Sequence, residues 1–173
     1  MSIAIYTIGH STRPVEKFIQ ILETYKIEKV VDVRTIAASK YNPQYNKAEL
    51  SKSLNREHIG YVHCKGLGGL RHPLKASVNT GWRNASFRGY ADFMQTMEFQ
   101  ENIEQLMELA RDKRIVIMCA EALPWRCHRS LIGDALFIRN IAVIDIFSEK
   151  ISKPHILTPF AKVQGLVITY PAS

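Results

Sequence analysis

Hydrophobic and polar positions along the chain switch repeatedly between two periods. Ile3 to Ile8 is a short, mostly apolar run that predicts a first strand, ended by Gly9-His10-Ser11-Thr12. Ser11 or Thr12 then stands where a helix cap belongs. The helix it would cap runs over about 14–26, with Phe18, Ile21, Leu22 and Tyr25 at i, i+3, i+4 and i+7. Residues 29–33 (KVVDV) are nearly continuous in apolar side chains, as in a strand buried on both faces. A polar loop over 35–46 leads to a helix over about 47–57 with Leu50 and Leu54 inward, and a third strand is expected over 60–64. Residues 66–89 then read as one long irregular stretch, the kind that is usually functional or mobile. Helical period returns over 90–97 and over 100–111, where Ile103, Leu106, Met107 and Ala110 share a face. A fourth strand over 114–119, a helix over about 125–138 and a fifth strand over 142–147 follow. Leu166 to Tyr170 would add an edge strand or cover one.

Strand, helix, strand in repetition predicts an α/β fold. We expect a mostly parallel sheet of about five strands with helices on both faces. At 173 residues, with 46% apolar and 23% charged side chains, the chain suits one soluble domain over 1–173. A core over 1–148 would carry a Pro-punctuated extension over 149–173. No apolar run reaches the roughly 18 residues of a membrane helix, and residues 1–9 lack the basic start of a signal peptide. Three cysteines, two of them eight residues apart, do not make a secreted disulfide framework. The cytoplasm is therefore the expected compartment, and no membrane contact is expected. A formal charge of +7 suits a phosphorylated or polyanionic partner.

Ligands in parallel sheets sit beyond the carboxyl ends of the strands, and the chemically distinctive residues fall there. Strand one ends in Gly9, His10 and Ser11; strand two in Asp32 and Arg34; strand three ahead of Leu67-Gly68-Gly69; strand four in Cys119 and Glu121. Cys127-His128-Arg129 falls in the first turns of the next helix, where backbone N–H groups and the helix dipole favour an anion. A cysteine there, flanked by Arg126, His128 and Arg129, is expected to have a lowered pKa and to serve as a nucleophile. Cys119 is the other candidate for the thiolate, with a plainer reading as a small apolar residue at a strand end. Glu121 and His10 are acid/base candidates, and His10 reads equally as a turn residue bonded to backbone. Arg34, Arg126 and Arg129 would hold an anion, with Ser11 and Asp32 beside them. Asp32 and Arg34, at i and i+2, leave one strand face and can instead pair with each other. Gly68 and Gly69 mark a tight turn or a close backbone approach beside that ligand.

Neither a Walker loop nor a Gly-x-Gly-x-x-Gly fingerprint occurs, so no cofactor is identified. The short knuckle spacing of structural zinc is missing as well, and no metal site is assigned. Basic loop residues (Lys40, Lys65, Arg71, Lys75, Arg83, Arg88) lie among Tyr41, Tyr45, Trp82 and Trp125. They read as a solvated basic face or as a surface for single-stranded nucleic acid.

The ordered motifs Thr7-Ile8-Gly9-His10-Ser11, Asp32-Val33-Arg34, Leu67-Gly68-Gly69, Cys119-Ala120-Glu121 and Cys127-His128-Arg129 resemble domain-of-unknown-function family 488, to about residue 148. The resemblance implies a single α/β domain in a prokaryotic cytoplasmic protein, with the rim residues as the family's signature. It implies no substrate. Val30 to Arg34, Ile115 to Cys119 and Arg129-Ser130 are also similar to rhodanese domains, which would imply sulfur transfer. The stretch between Cys119 and Arg129, interrupted by Pro124 and Trp125, is longer than the rhodanese loop. Three functions follow: an enzyme on a small anionic, nucleotide- or nucleoside-like ligand; a nucleic-acid-binding or repair-associated module; or a rhodanese-like thiol transferase. The sequence fixes neither the reaction nor the oligomeric state.

Overall fold

In the computed structural model, which describes residues 3–173, five parallel strands form the centre of the molecule. They are β1 (Ala4–Gly9), β2 (Lys29–Asp32), β3 (Gly60–His63), β4 (Ile115–Cys119) and β5 (Ala142–Ile146). A short antiparallel strand, β6 (Ser152–Pro154), extends the sheet at β5, giving the order β3-β2-β4-β1-β5-β6. The sixth strand comes from the C-terminal extension. Its side chains are exposed and its proline sits on the edge, where a missing N–H is tolerated. Residues 167–169 do not join this sheet. They form β8 (Val167–Thr169), a hairpin with β7 (Lys162–Gln164) that buries Ile168 and Tyr170 against the core.

Side chains of successive strand residues leave opposite faces, and that parity sorts both the core and the site. On one face, Val30, Val116, Met118, Ile8 and Ile146 pack against two helices. These are α1 (Val15–Thr24), through Phe18, Ile21 and Leu22, and α2 (Lys47–Arg56), through Leu50 and Leu54. On the other face, Ile5, Val31, Ile115, Ile117 and Val143 meet α3 (Ala85–Met94), α4 (Met97–Asp112) and α5 (Arg129–Phe137). Thr7, Cys119 and Asp145 belong to this second face, beneath α5; Asp32 belongs to the first.

Several boundaries differ from the sequence reading for local reasons. Neither Ser11 nor Thr12 caps α1, whose N-terminal flank is Pro14 with no side-chain cap; Ser11 has φ 53° and gives its N–H to the Ala120 carbonyl. The irregular stretch ends at residue 84, because the Asn84 side chain accepts from the Ser86 and Phe87 N–H groups and starts α3 five residues early. Thr96 likewise caps α4 ahead of residue 100. The remaining loop is held in place from below. The buried Asp92 carboxylate accepts from Leu74 N, Ser77 Oγ and Asn79 Nδ2, and Asn79 Oδ1 accepts from Tyr170 N. The helix expected over 125–138 is broken in two. A 3-10 turn over Pro124–Arg126 precedes an extended Cys127, and α5 starts only at Arg129.

Candidate functional site

A cleft of about 470 Å³ opens at the carboxyl ends of β2 and β4, at the rim where parallel sheets bind ligands. Cys119, Cys127 and His128 form part of its wall, with Arg126, Glu121, Gly69 and Phe87 around them. The turn after β4 is fastened to the turn after β1: His10 N donates to Cys119 O at 2.9 Å and Ser11 N to Ala120 O at 3.0 Å. Gly9 pairs with Cys119 in the sheet register and makes room for that turn, since a Cβ on Gly9 would stand 1.7 Å from the Glu121 carbonyl oxygen.

That same oxygen is the centre of the site. The Cys119 thiol donates to it at 3.3 Å and Arg129 Nη2 at 3.0 Å. Arg129 Nη2 also reaches Ala122 O, and Nη1 donates to Thr7 Oγ1 at 2.8 Å. Arg129 is 1% exposed, and its Nε has no hydrogen-bond partner among the described residues. Cys127 neighbours Cys119 in the cleft wall. Its Sγ accepts the Arg129 backbone N–H at 3.5 Å, so the sulfur caps the end of α5 where a side-chain oxygen usually would. His128 Nε2 donates to Val33 O at 2.9 Å, which leaves Nδ1 as the acceptor, 3.4 Å from Cys127 Sγ.

The two thiols differ in how readily they ionise. Burial pushes the Cys119 thiol up, but the Cys127 thiol, the Arg129 guanidinium and the Glu121 backbone outweigh it and bring it down to about 7. Cys127 is pushed up, chiefly by its interaction with the neighbouring Cys119, and also by burial and by charge on that neighbour. The lowered pKa expected at the helix start therefore belongs to Cys119. His128 is held at about 4, mainly by burial, with Arg129 and Arg71 adding to the effect; it is neutral at pH 7.

The remaining site residues separate by face. Asp32 and Arg34 form a buried bidentate pair, Nε to Oδ1 at 2.9 Å and Nη2 to Oδ2 at 2.7 Å. Tyr61 donates to Asp32 and the Tyr45 carbonyl accepts from Arg34. Burial opposes the Arg34 charge and Asp32 outweighs it, so the guanidinium stays protonated. His10 stacks on Tyr45 with ring centroids 4.1 Å apart and bonds Ser11 O through Nδ1. Burial holds it at about 4, and Arg34 adds to that. Ser11 and Asp32 lie outside the cleft wall; Arg34 reaches its edge. The Glu121 side chain is exposed at the lip, while its carbonyl holds the site together. Gly68 and Gly69 permit close approach: a Cβ would meet Thr35 Oγ1 at 2.4 Å and His128 Nδ1 at 2.5 Å, respectively.

Sequence reasoning did not single out Thr35 or Asp145, and named Thr7 only as the first residue of a motif, with no role. Each looks like an ordinary strand or loop residue, and only parity in β1 and β5 gives a signal for Thr7 and Asp145. Of the aromatics read among the basic loops, Tyr45 is buried, and Trp82 packs on Phe87, Phe160 and Tyr170. Tyr41 and Trp125 are exposed. Arg71 is committed to Gly66 O and Gly68 O, and Arg88 to Trp82 O. Arg126 has no ion-pair partner among the described residues and faces the cleft. Among the described residues, no three His, Cys, Asp or Glu side chains are grouped to hold a metal ion. No helix there is long and apolar enough to cross a membrane.

In comparisons with known proteins, residues 14–136 match the family model described as Domain of unknown function DUF488. The match takes in Asp32, Arg34, Cys119, Cys127 and Arg129; the Thr7 to Ser11 motif and everything after 136 lie outside it. No curated protein and no solved structure matches the chain.

Proposed function

Because the chain belongs to the DUF488 family, whose description names no activity, we propose from its site that it is a cysteine-dependent enzyme acting on a small anionic ligand. Cys119 is the nucleophile. Arg126, at the cleft wall, holds the ligand's negative charge, with the amino-terminal end of α5 adding a favourable field. Arg129 supports the thiolate from behind. Cys127 stays protonated beside Cys119, and His128 orients it. Glu121 is placed to exchange protons with solvent at the lip. His10, Asp32 and Arg34 shape the rim from the opposite sheet face; Ser11, Gly68 and Gly69 set its backbone.

One observation carries this reading: Cys119 and Arg129 converge on the Glu121 carbonyl oxygen, at 3.3 and 3.0 Å, in the wall of the cleft. A thiol there competes with the guanidinium for one acceptor. The charge of the buried Arg129 guanidinium beside the sulfur favours the thiolate, so the site stabilises the form that reacts.

The test uses two alkylating agents of one shape. Iodoacetate carries a carboxylate and iodoacetamide is its neutral counterpart; with either, the thiolate forms a C–S bond and iodide leaves. The ratio of iodoacetate to iodoacetamide rates should be higher at Cys119 than at Cys64 in the same chain. Arg126→Ala should pull it down to the Cys64 value. Equal ratios at the two cysteines, unmoved by Arg126→Ala, would reject the anion site.

A further inference from the structure

Three titratable side chains form a buried cluster that the chemistry above leaves unused. His155, from the C-terminal extension, bonds Asp134 Oδ1 of α5 through Nε2 at 2.8 Å, and its Nδ1 lies 3.7 Å from Asp145 Oδ2 of β5. The His155 side chain is 7% exposed, Asp134 is fully buried and Asp145 nearly so. Tyr170 OH donates to the second Asp134 oxygen at 2.8 Å. Asp145 Oδ1 accepts from Thr7 Oγ1, its register partner on β1, and Thr7 Oγ1 in turn accepts from Arg129 Nη1. The hydrogen bonds thus have a fixed direction: Arg129 to Thr7, and Thr7 to Asp145. The second hand of Arg129 rests on Glu121 O, where Cys119 also points.

We propose that His155 is a positioning residue for the thiol site, holding Asp145 so that Asp145 and Thr7 fix the Arg129 guanidinium against Cys119. The proposal rests on the reading of Cys119 as the nucleophile, and it gives a role to a segment that lies beyond the family match at residue 136. Two carboxylates beneath one arginine would, by themselves, draw that arginine's charge away from the cleft. A cation between them restores the balance. Burial opposes the His155 charge, but Asp134 and Asp145 raise it to about 9, so the ring is protonated at pH 7. It therefore spans both carboxylates, and Thr7 bridges Asp145 to Arg129. The groups around His155 are Asp134 from α5, Asp145 from β5, Tyr170 after β8 through Asp134, and Lys153 on β6 just before it. Those facing Cys119 are Cys127 and Arg129, with Glu121, Arg126 and His128 along the cleft.

The experiment follows iodoacetamide labelling of Cys119 against pH, peptide by peptide, in the full chain. His155→Gln and Thr7→Val should each raise the midpoint by about half a pH unit and slow labelling at pH 7 roughly twofold. Thr7→Ser, which keeps the hydroxyl, should retain the native midpoint. Tyr170→Phe, which removes a bond to Asp134 without touching Asp145, should lower the melting temperature and leave the midpoint alone. Native midpoints in both His155→Gln and Thr7→Val, with wild-type Cys119 reactive, would overturn the relay and spare the nucleophile. If His155→Gln does not fold, the contrast between Thr7→Val and Thr7→Ser decides. A wild-type Cys119 inert to iodoacetamide would overturn both readings.

Discussion

Any side chain at Gly9 meets the Glu121 carbonyl oxygen, which a Cβ would approach to 1.7 Å, with the Ala122 Cα 2.9 Å away. Both neighbours are backbone and neither can swing aside. Gly9→Ala should therefore displace the whole turn from 120 to 123. We expect about 1–3 kcal/mol of lost stability in denaturant unfolding, together with slower Cys119 alkylation, because the oxygen shared with Arg129 moves. Cys119 and Cys127 behave as a pair in the same way. Cys127→Ala removes the polar neighbour and should raise the Cys119 midpoint, whereas Cys119→Ser removes the fast-labelling thiol outright. Single residues were also where sequence reasoning separated least well. Asp32 with Arg34 was legible as a pair from i, i+2 spacing. Cys119 and Cys127 were legible as candidates, but which one ionises depends on contacts across two chain segments and on a guanidinium buried behind them. Neither appears in spacing. His10, read as an acid/base candidate or a turn residue, is stacked on Tyr45 and bonded to the Ser11 carbonyl.

At the scale of elements, strand parity explains why rim residues adjacent in chain order divide into two groups. Odd positions of β1, Thr7 and Gly9, face α5 together with Cys119 and Asp145. Asp32 and its partners face α1 and α2. The parallel strands and most helices were readable because their apolar periods are strong and each is buried by the same layers. Boundaries failed where a side chain overrides period: Asn84 and Thr96 start helices early, and the extended Cys127 splits one. The 68–84 segment looked free because its sequence has no period, yet Asp92 supplies three hydrogen bonds to it from α3. Asp92→Ala strips a buried anchor and should cost about 2–3 kcal/mol. It should also open residues 74–79 to limited proteolysis, while Cys119 labelling persists. Asn84→Ala should cost about 1 kcal/mol by thermal unfolding, as loss of a helix cap does.

For the whole molecule, three buried histidines give stability two opposite slopes with pH. His10 and His128 are held at about 4 in the fold against 6.5 in the free side chain, so the unfolded chain binds more protons between these values. Their contribution is complete above pH 6.5 and is lost as pH falls toward 4. His155 is raised to about 9, so its contribution is complete below 6.5 and is lost as pH rises through 9. Unfolding free energy should peak near pH 6.5, and His155→Gln should flatten the alkaline side alone. The +7 charge, which in the sequence spoke for an anionic partner in general, acquires a local part: Arg126 open to the cleft, with Arg34 and Arg129 committed beneath it. The account turns on which sulfur carries the negative charge. Iodoacetamide labelling of the intact protein from pH 5 to 10, resolved by peptide mass spectrometry, measures this directly. Cys119 should label with a midpoint near pH 7 while Cys127 stays unmodified through pH 8. Labelling of Cys127 first, or of Cys119 only near the ordinary thiol pKa, would contradict it.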